Sequence, residues 1–79
     1  MHADILPVLK SIAPESPFEQ STDFLADGLI DSFDVVMITT ALEERFQVHI
    51  PGERITAEHY RSLDRLAALI AQCQERQAS

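Results

Sequence analysis

Gly28-Leu29-Ile30-Asp31-Ser32-Phe33-Asp34 is where the chain passes from loop to helix, and its reading decides the fold. Asp31 is a strong N-cap, because its side-chain oxygen can accept one of the backbone N–H groups that a helix start leaves unbonded. Asp34, at the third helical position, can return a bond to the N–H of Asp31 in the manner of a capping box. Behind the cap, Val35, Ile38, Leu42 and Phe46 are spaced by three, four and four residues, so they line one side of a helix predicted over residues 32–46. That stripe is the buried face against which the rest of the chain assembles.

Upstream, Ile5, Leu9 and Ile12 recur at helical spacing with Leu6 and Ala13 beside them, which predicts a first helix over about residues 3–13. Asp4 suits the dipole at its start, Pro7 is compatible only within the first turn, and Pro14 and Pro17 end it. Residues 14–30 form a connection of unusual length for so small a domain, pinned by Phe18, Phe24, Leu25, Leu29 and Ile30. Downstream, Val48-His49-Ile50-Pro51-Gly52 leaves the second helix, because Pro51 and Gly52 interrupt it. Thr56 is placed to cap a short turn from Ala57 to Tyr60, and Ser62 to cap a last helix over about residues 63–75. The buried face of that helix is Leu63, Leu66, Ile70 and Cys73, with Ala67 and Leu69 alongside. The expected fold class is all-α: a small bundle of three main helices plus one short helix, with a long loop between the first and second helices.

With 79 residues the chain has room for one domain, residues 1–79, and one core. Its hydrophobic fraction of 46% is that of a folded protein, and two glycines are too few for a turn-rich β design. Cys73 is the only cysteine, which excludes an internal disulfide and suits a reducing compartment. No apolar run approaches the ~20 residues of a membrane span, and the N-terminus lacks the layout of a signal peptide, so the expected location is cytoplasmic. The net charge of −7 is concentrated in residues 15–58, where ten carboxylates face only Arg45 and Arg54. Such a surface repels nucleic acid and attracts basic proteins; equally, acidity alone keeps a small protein soluble.

The second helix carries more than its burial stripe. Phe33, Val36, Met37 and Thr40 lie roughly opposite the stripe, with Asp34, Glu43 and Glu44 around them. Apolar side chains inside a charged rim read as a docking surface, with packing of Val36 or Met37 under the long loop as the structural reading beside it. Ser32 on its own reads as a helix-start serine. A helix N-terminus also tolerates a phosphate, through its free N–H groups and its dipole, so the site suits a serine presented for covalent modification. Asp31 and Asp34 oppose that charge and are better placed as contacts for a basic modifying enzyme.

Taken in order, Ile12-Ala13-Pro14-Glu15, Asp31-Ser32-Phe33-Asp34, Ala41-Leu42-Glu43-Glu44-Arg45-Phe46, Val48 to Pro51 and Tyr60-Arg61-Ser62-Leu63 resemble the acyl carrier protein family, a class that includes peptidyl, aminoacyl and D-alanyl carriers. The resemblance covers about residues 5–70. It implies that Ser32 carries 4′-phosphopantetheine, delivered from coenzyme A by a phosphopantetheinyl transferase, and that the arm's thiol, not Cys73, holds an acyl or aminoacyl group as a thioester. It implies an acidic docking face supplied by Asp31, Phe33, Asp34, Val36, Met37, Glu43 and Glu44. The partners implied are a cargo-loading ligase or acyltransferase and a downstream synthase or transferase, served by a monomer. Three positions depart from the commonest pattern: Phe33 replaces the usual leucine or methionine, Gly28 lies four residues before the serine instead of three, and Met37 stands where many fatty-acid carriers have glutamate. The Gly-Leu-Ile-Asp-Ser form is more similar to D-alanyl and other freestanding, pathway-specific carriers.

Rival readings are few. With Asp23 as the first position, Asp27, Gly28, Asp31 and Asp34 approach a calcium-loop pattern, but Leu25 supplies no oxygen and Asp34 replaces the bidentate glutamate. No catalytic residue is expected, since Ser32 has no base in a triad-like motif, and no metal site, since His2, His49 and His59 lack zinc spacing. The alternative function is an unmodified acidic helical adaptor that binds basic proteins through the Phe33–Met37 face.

Overall fold

A computed structural model describes residues 2–78, with the environments of side chains 3–76. Four α-helices form, α1 (His2–Ile12), α2 (Ser32–Phe46), α3 (Ala57–Tyr60) and α4 (Leu63–Ala78), with 3₁₀ turns at Phe18–Gln20 and Gly52–Arg54, and the described residues contain no strand. The expected all-α bundle, with three main helices, a short one and a long first loop, is the observed architecture. The helices pack α1 with α2, α1 with α4, and α3 with α4. Ile5 and Leu9 of α1, Ile38 and Leu42 of α2, Tyr60 of α3, and Leu66, Leu69 and Ile70 of α4 meet in one core with at most 1% exposure.

Helix α1 corrects one expectation. Pro7 lies in its second turn, not its first. Pro7 faces solvent, as does Ala3, whose carbonyl the missing N–H leaves unbonded, so water can satisfy that group. Burial of Ile5 and Leu9 on the other side holds the helix across the proline. Helix α4 runs to Ala78, beyond the expected end near residue 75, because Gln74-Glu75-Arg76 are helix formers with no Gly or Pro stop.

The long first loop is anchored, as its apolar residues predicted. Phe18 and Phe24 are buried with ring centroids 5.1 Å apart at 79°, an edge-to-face pair. The Phe24 N–H donates to the carbonyl of Arg61 at 2.6 Å, tying the loop to the α3–α4 junction. A compact turn follows, with Asp27 N–H donating to Asp23 O (2.9 Å) and Leu29 N–H to Phe24 O (2.8 Å). It closes through Gly28 at φ +74°, a conformation that L-residues rarely adopt. Ile30 then enters the core, and the chain emerges at Asp31 in position to start α2.

Candidate functional site

The start of α2 is built as its sequence dictates. Asp31 Oδ1 accepts the N–H of Asp34 at 2.9 Å, and Asp34 Oδ2 accepts the N–H of Asp31 at 3.2 Å, a reciprocal capping box. Ser32 is thereby the first residue of α2, held between an anchored loop and a capped helix. Its side chain is exposed, and among the described residues its hydroxyl has no hydrogen-bond partner. Only Asp34 N–H is capped, so the N–H groups of Ser32 and Phe33 remain at the positive end of the helix. An anionic phosphate on Ser32 fits this place: the hydroxyl is accessible, two donors are near it, and each neighbouring carboxylate has one oxygen on a backbone N–H.

The expected docking residues divide. Phe33 and Val36 are 69% and 61% exposed, the large apolar side chains that stand out into solvent, with exposed Asp31 and Thr40 near them. Val36 therefore does not pack under the long loop. Met37 is half-buried, and so is Asp34. Glu44 is exposed, about 18 Å along the helix from Ser32 at 1.5 Å per residue. Glu43 is committed to the fold: its Oε2 accepts the N–H of Ile50 at 2.9 Å and lies 3.4 Å from Nδ1 of His49. That bond closes the turn after α2, where Gln47 adopts the left-handed region at φ 55°.

The acids that suggested a calcium loop have local partners. Asp23 Oδ1 accepts the N–H of Ala26 at 3.0 Å, and the carboxylate of Asp27 accepts the hydroxyl of Ser21. Asp31 and Asp34 bond each other's backbone. Among the described residues no group of three or more His, Cys, Asp or Glu is arranged to hold a metal ion. His49 is exposed, and His59 meets the hydroxyl of Thr56 at 2.9 Å. Thr56 accordingly makes no side-chain cap for α3, contrary to expectation, whereas Ser62 Oγ does accept the N–H of Arg65 at 3.2 Å at the start of α4. The side chain of His2 lies outside the described residues.

One constellation is not evident from the sequence. Thr39, 7% exposed, is the buried polar residue of the core, and its hydroxyl meets that of the fully buried Tyr60. Thr39 Oγ1 also lies 2.8 Å from the carbonyl of Val35, which can only accept. The threonine proton therefore goes to Val35, and Tyr60 donates to Thr39. Burial raises the Tyr60 phenol above its usual range, and a donor role requires the neutral form. The signal available in the sequence was Thr39 itself, which adjoins Ile38 beside the Val35–Leu42 stripe. Cys73 is buried, and desolvation pushes its thiol up, away from nucleophilic use.

Among the described residues no helix is long and apolar enough to cross a membrane. Comparison with curated proteins and with solved structures finds no match to the chain. A family model described as a phosphopantetheine attachment site matches residues 3–70.

Proposed function

The chain belongs to the phosphopantetheine attachment site family, and from that membership we propose that Ser32 is the residue bearing the covalent 4′-phosphopantetheine that such carriers use. The observation that carries the assignment is a single exposed hydroxyl without a partner at the first position of a capped helix, inside the matched segment. Ser32 Oγ is the attacking group toward coenzyme A, and a separate transferase supplies the base that takes its proton. The arm's terminal thiol supplies thioester chemistry, and tethering raises the effective concentration of the cargo at each partner's active site. The chain's own part is to hold the attachment point rigidly and to present it beside a recognisable surface.

In this reading the protein is a one-domain, monomeric carrier of an acyl or aminoacyl group and performs no catalysis itself. Phe33 and Val36 form the apolar centre of the docking face, with Asp31, Asp34 and Glu44 as its acidic rim and Met37 at its edge. Basic partners suit it: the phosphopantetheinyl transferase, a loading ligase or acyltransferase, and a downstream synthase or transferase. Glu43 contributes through the turn it closes more than through direct contact.

The assignment is tested by incubation with coenzyme A and a broad-specificity phosphopantetheinyl transferase, followed by intact mass. Wild type is expected to gain one phosphopantetheine and Ser32→Ala none. An unchanged wild-type mass, or equal gain by Ser32→Ala, refutes it in favour of an unmodified adaptor.

A further inference from the structure

Asp31 and Ser32 are consecutive residues of similar capping strength, since Asp and Ser rank alike at a helix N-cap. Either can close the start of α2, and the choice decides what the serine hydroxyl does. In the observed register Asp31 is the cap. Its backbone is extended at φ −125° and ψ −174°, its carbonyl accepts the N–H of Val35 at 3.0 Å, and its side chain accepts that of Asp34. In the alternative register the helix begins one residue later. Ser32 then turns extended, and its Oγ accepts the N–H of Val35. Only residues 31–33 need rearrange, because Ile30 is buried in the core and Val35 packs against it.

We infer that the reciprocal bonds of Asp31 and Asp34 are a positioning device, which prevents Ser32 from capping its own helix and so leaves Oγ free as a nucleophile. The inference rests on the attachment reading above. What separates the two registers is the residue that falls at the third helical position. With Asp31 as cap it is Asp34, whose Oδ2 accepts the N–H of Asp31 at 3.2 Å. With Ser32 as cap it is Val35, which has no side-chain acceptor to return. The outcome shows at the serine, which is exposed and whose hydroxyl has no hydrogen-bond partner among the described residues. In the transfer, Oγ bonds to the phosphorus that bears the pantetheine, the bond from that phosphorus to the nucleotide-bearing phosphate breaks, and the hydroxyl proton passes to the transferase's base. A Ser32 cap would hold one lone pair of Oγ on the Val35 N–H and draw the side chain over the first turn, away from the incoming phosphorus. Asp31 and Asp34 thus act through Ser32, in addition to the charge they offer a basic partner.

The test compares Asp31→Asn, which removes the charge and keeps an equal cap, with Asp31→Ala, which removes both. In isotope-labelled protein, the Cα and Cβ chemical shifts of Ser32 report whether it is helical or extended. Ser32 is expected to be helical in wild type and Asp31→Asn and extended in Asp31→Ala, where the Val35 amide moves with it. Transfer from coenzyme A by a broad-specificity phosphopantetheinyl transferase is expected to have a kcat/KM at least ~3-fold lower for Asp31→Ala than for Asp31→Asn, because the competent register has become the minor one. Equal kcat/KM for the two variants overturns the inference and leaves charge as the role of Asp31 in transfer. A helical Ser32 in Asp31→Ala overturns it as well, whatever the rate. If Asp31→Ala does not fold, Asp34→Ala against Asp34→Asn is read by the same criteria, since Asn can still accept the Asp31 N–H, with a difference of at least ~2-fold expected. Absence of transfer to wild type refutes the attachment reading, while the Ser32 shifts still decide which residue caps the helix.

Discussion

Removing the Tyr60 hydroxyl should destabilise the fold by an amount that the proton assignment fixes. In Tyr60→Phe the Thr39 hydroxyl keeps its bond to the Val35 carbonyl and loses only a donor to its oxygen. The expected loss is that of one buried hydrogen bond, about 1–1.5 kcal/mol. In Thr39→Val the shape is kept but the Tyr60 O–H is left buried without an acceptor, which costs more, about 1–3 kcal/mol. The double variant removes both polar groups, so its loss should fall short of the sum by at least ~0.5 kcal/mol. Urea unfolding of the four proteins gives the cycle directly, and the Tyr60→Phe loss corresponds to about 4–12 °C in melting temperature for a domain of this size.

The pH dependence carries a second signature of the same bond. Burial raises the folded-state pKa of Tyr60 above the unfolded value, so the native state holds the proton more tightly. Its contribution is full below about pH 10 and is lost as pH rises from there through the folded value, because the unfolded ensemble ionises first. Tyr60 is the sole tyrosine, so phenolate absorbance follows this one group. Wild type should lose stability through that window more steeply than Tyr60→Phe; the comparison separates Tyr60 from Cys73, which is also raised by burial. Additive losses within about 0.3 kcal/mol, or identical alkaline slopes for wild type and Tyr60→Phe, would refute the reasoning.

Three further outcomes follow from other parts of the molecule. Gly28→Ala places a Cβ where nothing lies within 4 Å but where φ is +74°, so thermal melting should report a conformational cost of about 1–2 kcal/mol with no steric one; an unchanged melting temperature contradicts this. Glu44→Lys should weaken binding of a basic partner at low salt and leave stability within about 0.5 kcal/mol, whereas Glu43→Lys should cost about 1–3 kcal/mol by unpairing the Ile50 N–H; equal stabilities would show that the Glu43 bond contributes nothing. Cys73 should react with a disulfide reagent only upon unfolding, so a fast reaction of the native protein would contradict its burial.

Local chemistry explains which features were legible in the residues. Helix α2 begins and ends where its cap and stripe require, because Asp31 and Asp34 bond their own neighbours and Val35, Ile38 and Leu42 share one side at 3.6 residues per turn. Phe18, Phe24 and Ile30 identified an anchored loop, since such side chains seek burial wherever the chain permits. Pro7 shows the limit of a local rule. Its cost is set by whether water reaches the freed carbonyl and by what the opposite face buries, and both depend on the packed molecule.

The chain alone thus determined an all-α bundle, a capped acidic helix and one serine at its start, because caps, periodicity and turn breakers act over a few residues. The folded molecule decided which of the acids face outward. Glu43 and Glu44 are adjacent and chemically alike, yet only Glu43 reaches the amide of Ile50, a pairing set by the turn after α2. It also joined Thr39 to Tyr60 across 21 positions. No periodicity encodes that contact, for it exists only where two helices bring their hydroxyls into a space that excludes water.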